Sequence, residues 1–150
     1  MNTIKQAIQS YLSDKNYQRI ALKAMLFDMD GVLYDSMPSH AKAWNSTMKA
    51  HGINLSFEDA YLHEGRTGAD TIHIICRREG IELPEEKVAA IYQEKVKVFE
   101  NMPTPEPMKG SYELLQKVVR DGLSPMVVTG SGQPSLIDKL NVHFPHIFQR

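Results

Sequence analysis

Residues 24–35 read Ala-Met-Leu-Phe-Asp-Met-Asp-Gly-Val-Leu-Tyr-Asp, and no other stretch constrains the fold as tightly. A short apolar run delivers two aspartates, Asp28 and Asp30, one residue apart at its carboxyl end. Gly31 follows at once, where the backbone must turn sharply. An apolar run bounded by a turn has the pattern of a buried strand. In an open α/β sheet, ligands bind at the carboxyl ends of the strands. Two carboxylates there can coordinate a divalent cation and do nucleophilic and acid–base work on a phosphate. A calcium loop is a poor alternative. Counted from Asp28, the fifth position is Val32, the glycine comes too early, and Ser39 stands where a glutamate is required.

The chain has 150 residues, 42% of them hydrophobic and 23% charged, enough for one compact core with a small appended domain. A formal net charge of −1 gives no electrostatic basis for binding nucleic acid or a membrane surface. No apolar run is long enough to span a bilayer. Lys5, Asp14, Lys15 and Arg19 lie in the first twenty residues without an apolar h-region, which argues against a secretory signal. The single cysteine, Cys76, excludes an intrachain disulfide and reads as a buried structural thiol in the run 72–76. A cytoplasmic monomer acting on a small molecule is the expectation.

Periodicity divides the chain. Ile4, Ile8, Tyr11 and Leu12 form a helical stripe, read as an N-terminal extension packing on the core. The first strand is expected over 23–28. Pro38 suits the first turn of a helix that ends near Gly52. Ser56 reads as an N-cap with acids behind it. Further helices are expected over 69–79, from Pro84 to about 100, and over 111–121. Residues 101–107, Asn-Met-Pro-Thr-Pro-Glu-Pro, form a stiff linker poor in hydrogen bonds. A second strand is expected over 125–129, and a short helix from Pro134. The N-terminal core segment, with its helical extension, thus covers 1–36. A helical insert follows over 37–100, then the linker over 101–107, and a truncated C-terminal core segment over 108–150.

The string Asp28-Met29-Asp30-Gly31-Val32-Leu33 resembles the first motif of the haloacid dehalogenase superfamily of phosphotransferases, Asp-x-Asp-Gly-(Val/Thr)-(Leu/Ile). Its extension to Asp35-Ser36 resembles the branch containing β-phosphoglucomutase and small-molecule phosphatases. The resemblance implies an α/β fold: a Rossmann-like core, incomplete within this chain, with an inserted all-helical cap domain. It also implies roles. Asp28 would be the nucleophile that forms an aspartyl-phosphate, and Asp30 the general acid and base. A Mg²⁺ ion would bridge Asp28, the backbone carbonyl of Asp30 and the phosphate. Thr129, ending an apolar run, matches the second motif. With Gly130, Ser131 and Gly31 it would bind phosphoryl oxygens. Rival readings of 129–135 fail: a dinucleotide fingerprint needs glycine where Ser135 stands, and no P-loop Gly-Lys-(Ser/Thr) occurs.

The insert carries the substrate question. His40 and Trp44 share a helix face, and with Ser36 they match positions where β-phosphoglucomutase has a His, a Trp and a hydroxyl residue. Trp44 reads as a core anchor. His40 is open between a surface residue and a site residue. The segment Glu64-Gly65-Arg66-Thr67-Gly68 falls at the loop that dips into the site in the resembled family. β-Phosphoglucomutase has a lysine where this chain has Glu64, and a phosphate-gripping arginine where it has Gly68. Losing both cations disfavours a sugar bisphosphate. A carboxylate there repels phosphate unless it helps hold a metal. The alternative is a solvated turn with Glu64 pointing away.

The favoured expectation is therefore a Mg²⁺-dependent phosphohydrolase acting on inorganic pyrophosphate or a small phosphate monoester. Asp28, Asp30 and Glu64 are the candidate metal ligands. Arg66 is the contact for the leaving phosphate, with Lys95 a weaker candidate. The alternatives are a β-phosphoglucomutase and a catalytically inert interaction domain. The lysine and last metal ligand of the family find no match after Thr129, Lys139 included, so the sequence reads as an N-terminal portion. An exposed apolar sheet edge and weak turnover are expected of the isolated chain.

Overall fold

Two segments far apart in sequence, Ala24–Phe27 (β1) and Ser124–Val127 (β2), pair in parallel with Phe27 opposite Val127 in the computed structural model. The structure describes residues 2–130 and 134–148. The N–H groups of Ser124 and Val128 donate to the carbonyls of Lys23 and Phe27 at 2.9 Å each. Donors toward β1 therefore fall on even positions, so the N–H that Pro125 lacks would have faced away from β1. The remaining elements are helices: α1 (Asn2–Asp14), α2 (Met37–Ala50), α3 (Phe57–Leu62), α4 (Gly68–Arg78), α5 (Glu85–Glu100), α6 (Ser111–Arg120) and α7 (Pro134–His143).

Local chemistry sets the helix ends. Ser56 accepts from the N–H of Asp59 while the Asp59 side chain accepts from Ser56, a complete capping box for α3. Asp59 also takes the Arg78 guanidinium at 2.6 Å, which holds its carboxyl down at about 2 and staples α3 to α4. Thr67 caps α4 by accepting from the N–H of Asp70. Gly52, Gly80 and Gly122 end the preceding helices at φ of +71°, +67° and +75°, the left-handed exit expected of them.

Two apolar clusters result. One gathers Phe27, Met29, Leu33 and Tyr34 with Leu115, Val118 and the α7 residues Leu136 and Leu140. Burial pushes the Tyr34 phenol up to about 12. The other lies within the insert, where α2 packs on α3 and α5 and α4 packs on α5. It contains Met48, Ile72, Ile75, Ile91 and Cys76, whose thiol burial pushes up. No helix among the described residues is long and apolar enough to cross a membrane.

Two expectations are corrected. The stripe of α1 does not pack down: Ile4 is 72% exposed, and Ile8 and Tyr11 are also exposed. Thirteen residues of helical periodicity specify a face, but only tertiary contacts decide what covers it. β1 is not buried on both sides, since Leu26 is 64% exposed and only Phe27 of its four residues is buried. The end of the linker is anchored: Asp35 N–H donates to the Glu106 carbonyl, and just past the linker Met108 N–H donates to the Leu33 carbonyl, tying this region to the segment after β1.

Candidate active site

The parallel register decides the site. With Phe27 opposite Val127, the next residues of both strands emerge at one sheet end, so Asp28 and Thr129 line the same pocket. After Asp28 the chain folds back at once. Leu33 and Tyr34 N–H groups donate to the Met29 carbonyl, and Gly31 sits at φ +72° with its N–H on the Tyr34 carbonyl. That tight turn leaves Asp28 exposed at the strand end, its Oδ1 accepting from the Met29 N–H at 2.7 Å. It carries Asp30 into the interior, 6% exposed.

A buried polar relay runs from Asp30 into the helical insert. The Ser36 hydroxyl donates to Asp30 Oδ1 at 2.6 Å, and His40 Nε2 meets the same oxygen at 3.1 Å. On the far side of the ring, Lys95 Nζ lies 2.8 Å from His40 Nδ1. An ammonium only donates, so Nδ1 accepts and the imidazole proton resides on Nε2, aimed at Asp30. Phe99 stacks on the His40 ring at 4.3 Å. Lys95 Nζ lies 5.2 Å from the Trp44 ring centre and 5.4 Å from that of Phe99, within cation–π range. Burial drives the Lys95 ammonium down to about 8, against the opposing pull of Asp30 and Glu64.

The pocket holds about 70 Å³ of solvent-accessible space. Asp28, Asp30, Thr129 and Gly130 line it from the strand ends, and Glu64, Gly65 and Arg66 from the loop between α3 and α4. Its donors suited to a cation are carboxylate and carbonyl oxygens, the chemistry of a hard ion such as Mg²⁺, so the residues present fit that group in kind. Among the described residues no three His, Cys, Asp or Glu side chains cluster closely enough to hold an ion by themselves. Asp28, Asp30 and Glu64 thus share a pocket without forming a three-carboxylate cage.

A family model described as haloacid dehalogenase-like hydrolase matches residues 22–147. The chain belongs to the haloacid dehalogenase-like hydrolase family. A provisionally named β-phosphoglucomutase from Bacteroides vulgatus is 55% identical with a TM-score of 0.87, over 97% of this chain and 59% of that one. The β-phosphoglucomutase of Clostridium difficile, at 20% identity and a TM-score of 0.69, covers 86% of this chain and 60% of its own, and shows the fold alone. Hexitol phosphatase A of Escherichia coli (strain K12) is 24% identical over 112 residues, 75% of this chain and 50% of that protein. The chain thus spans half of that curated relative and about three fifths of the solved structures.

Within this haloacid dehalogenase-like frame, Asp28, Asp30, His40, Glu64, Arg66, Lys95, Thr129 and Gly130 come together around one pocket. Ser131 lies outside the described residues. Three assignments change. Gly31 is absent from the pocket lining, and its N–H donates to the Tyr34 carbonyl, so the structure places it as the pivot of the turn. Ser36 is fully buried and orients Asp30 instead of meeting a ligand. Lys95 reaches the pocket wall, but its ammonium is engaged by His40. Trp44 is both core anchor and pocket wall. His63, Thr71 and Tyr92 also line the pocket and were missed. His63 Nδ1 is buried and has no hydrogen-bond partner among the described residues. Its place next to Glu64 was the only sequence signal for it.

Proposed function

We propose that this chain carries the nucleophile, the general acid–base and the substrate-selecting loop of a phosphohydrolase that cleaves inorganic pyrophosphate, with small phosphate monoesters as secondary substrates. The observation that carries this reading is the convergence of Asp28, Asp30, Thr129, Glu64 and Arg66 on one small pocket. Asp28, exposed at the strand end, attacks phosphorus and becomes the aspartyl-phosphate. Asp30, oriented by Ser36 and His40, protonates the leaving oxygen and later takes a proton from the attacking water. Thr129 and the Gly130 backbone hold phosphoryl oxygens, and Arg66 meets the departing phosphate.

Asp28, the backbone carbonyl of Asp30 and Glu64 would hold Mg²⁺. When bound, the ion offsets the negative charge that would otherwise repel a carboxylate nucleophile from phosphate. Glu64 supports pyrophosphate, because a carboxylate on the pocket wall would repel phosphate unless it helped to hold a cation. The 55% identity to the Bacteroides vulgatus protein supports a second reading, β-phosphoglucomutase.

The test compares phosphate release from pyrophosphate with isomerisation of β-glucose 1-phosphate, both with Mg²⁺ and with a protein of its relatives' full length that carries this chain. Pyrophosphate turnover is expected, abolished by Asp28→Asn and lowered about tenfold or more by Glu64→Lys. Faster isomerisation than hydrolysis would replace this reading with the mutase. Hydrolysis indifferent to Glu64→Lys would remove the metal role given to Glu64.

A further inference from the structure

Gly68 and Tyr92 compete for one place in the pocket wall. Gly68 opens α4, Tyr92 lies on α5, and both line the pocket. A β-carbon on Gly68 would stand 2.1 Å from both Cδ2 and Cε2 of Tyr92 and 2.8 Å from Cγ, inside the van der Waals surface of the ring. The neighbouring Gly65 is a glycine for a different reason: its φ is +80°, and nothing lies within 4 Å of its β-carbon position. Gly68 has no such backbone requirement. Its bareness makes room for the Tyr92 ring. Trp44, with ring centres 6.2 Å apart, flanks the ring, and Lys95 lies one turn further along α5.

The structure therefore leads us to propose that Tyr92 is a specificity-determining residue. Its ring, seated on the bare backbone of Gly68, closes the insert side of the pocket and limits the group a substrate carries beyond the reacting phosphorus. A compact phosphate leaving group is accommodated, and a polyol or sugar is excluded. This inference rests on the phosphohydrolase reading above and deepens it. No bond is made or broken by Tyr92; it acts by volume.

Two measurements test it. The first compares kcat/KM for pyrophosphate, glycerol 3-phosphate and sorbitol 6-phosphate in the same full-length protein, with wild type, Tyr92→Ala and Tyr92→Phe. Tyr92→Ala should raise the sorbitol 6-phosphate to pyrophosphate ratio by about tenfold or more, mainly through KM. Tyr92→Phe, which keeps the ring, should move that ratio by less than about threefold. Turnover with an unchanged ratio in Tyr92→Ala overturns the gate alone. Wild type that releases phosphate from none of the three overturns the phosphohydrolase reading, and the gate with it. The second measurement is thermal unfolding. Gly68→Ala should lower Tm by several degrees, and Tyr92→Ala in that background should restore most of the loss. Additive losses would show that the ring is not seated on Gly68 and would overturn the proposal.

Discussion

The helical insert and the strand-bearing half of this molecule solve opposite problems. In the insert, Met48, Ile72, Ile75 and Ile91 have no exposed surface, and four helices close around them. In the strand-bearing half, Leu26, Met126 and Val128 are 64%, 51% and 55% exposed, because two strands leave a sheet face uncovered by the described residues. A sheet of two strands is marginal without further partners, whereas a small helical bundle can close on itself. Yet Asp28, Asp30 and Thr129 belong to the open half, and Glu64, Arg66 and Tyr92 to the closed one. In the function proposed above, the reacting groups sit where strand ends meet. The groups proposed to select the substrate sit on the α3–α4 loop and on α5, in an insert with an apolar cluster of its own.

The contrast in burial gives the largest expected effect. Ile75→Ala should destabilise the chain by about 2–5 kcal/mol through a cavity in the insert. Leu26→Ala should change stability by less than about 0.5 kcal/mol. Equilibrium urea unfolding of the two variants reads the difference, and comparable losses would erase the distinction between the halves.

Lys95 sharpens the comparison where the halves meet. Its folded pKa of about 8 lies below the 10.5 of a free lysine. Across that window the unfolded chain keeps a proton that the folded chain has released, so stability should rise with pH. Below the window the buried charge costs on the order of 3 kcal/mol. Lys95→Met should flatten the rise. Unfolding free energies of both proteins across the window check it, and parallel profiles would mean the ammonium is solvated.

The smallest effect is local. Ser56→Ala removes one arm of the α3 capping box and should cost about 1 kcal/mol, with no change in substrate preference. A shifted preference would mean that α3 transmits strain to the Glu64 loop.

Much of this was legible beforehand for identifiable reasons. Ser56 followed by acids, Pro38 at a helix start and glycines at 52, 80 and 122 are short-range signals whose physics is complete within a few residues. The Asp28–Asp30 pair was legible because an apolar run followed by a turn fixes where its end must lie. An exposed apolar sheet edge was expected, but the exposure of individual residues was not legible. The stripe of α1 and the apolar residues of β1 look alike in sequence whether or not a neighbour covers them. The fates of Gly31, Ser36 and Lys95 were hidden too, because each depends on a partner: Tyr34, Asp30 and His40.

The sequence by itself determined the order of elements, the helical insert and the two carboxylates at a strand end, since propensity, capping and periodicity act over a few bonds. Tertiary structure alone decided the register that sets Thr129 and Asp28 on one pocket, that a proton on His40 Nε2 faces Asp30, and that Tyr92 rests on Gly68. Each depends on strand register, on a ring held between two charged groups, or on two helices at contact distance, and none has a signature until the chain has closed on itself.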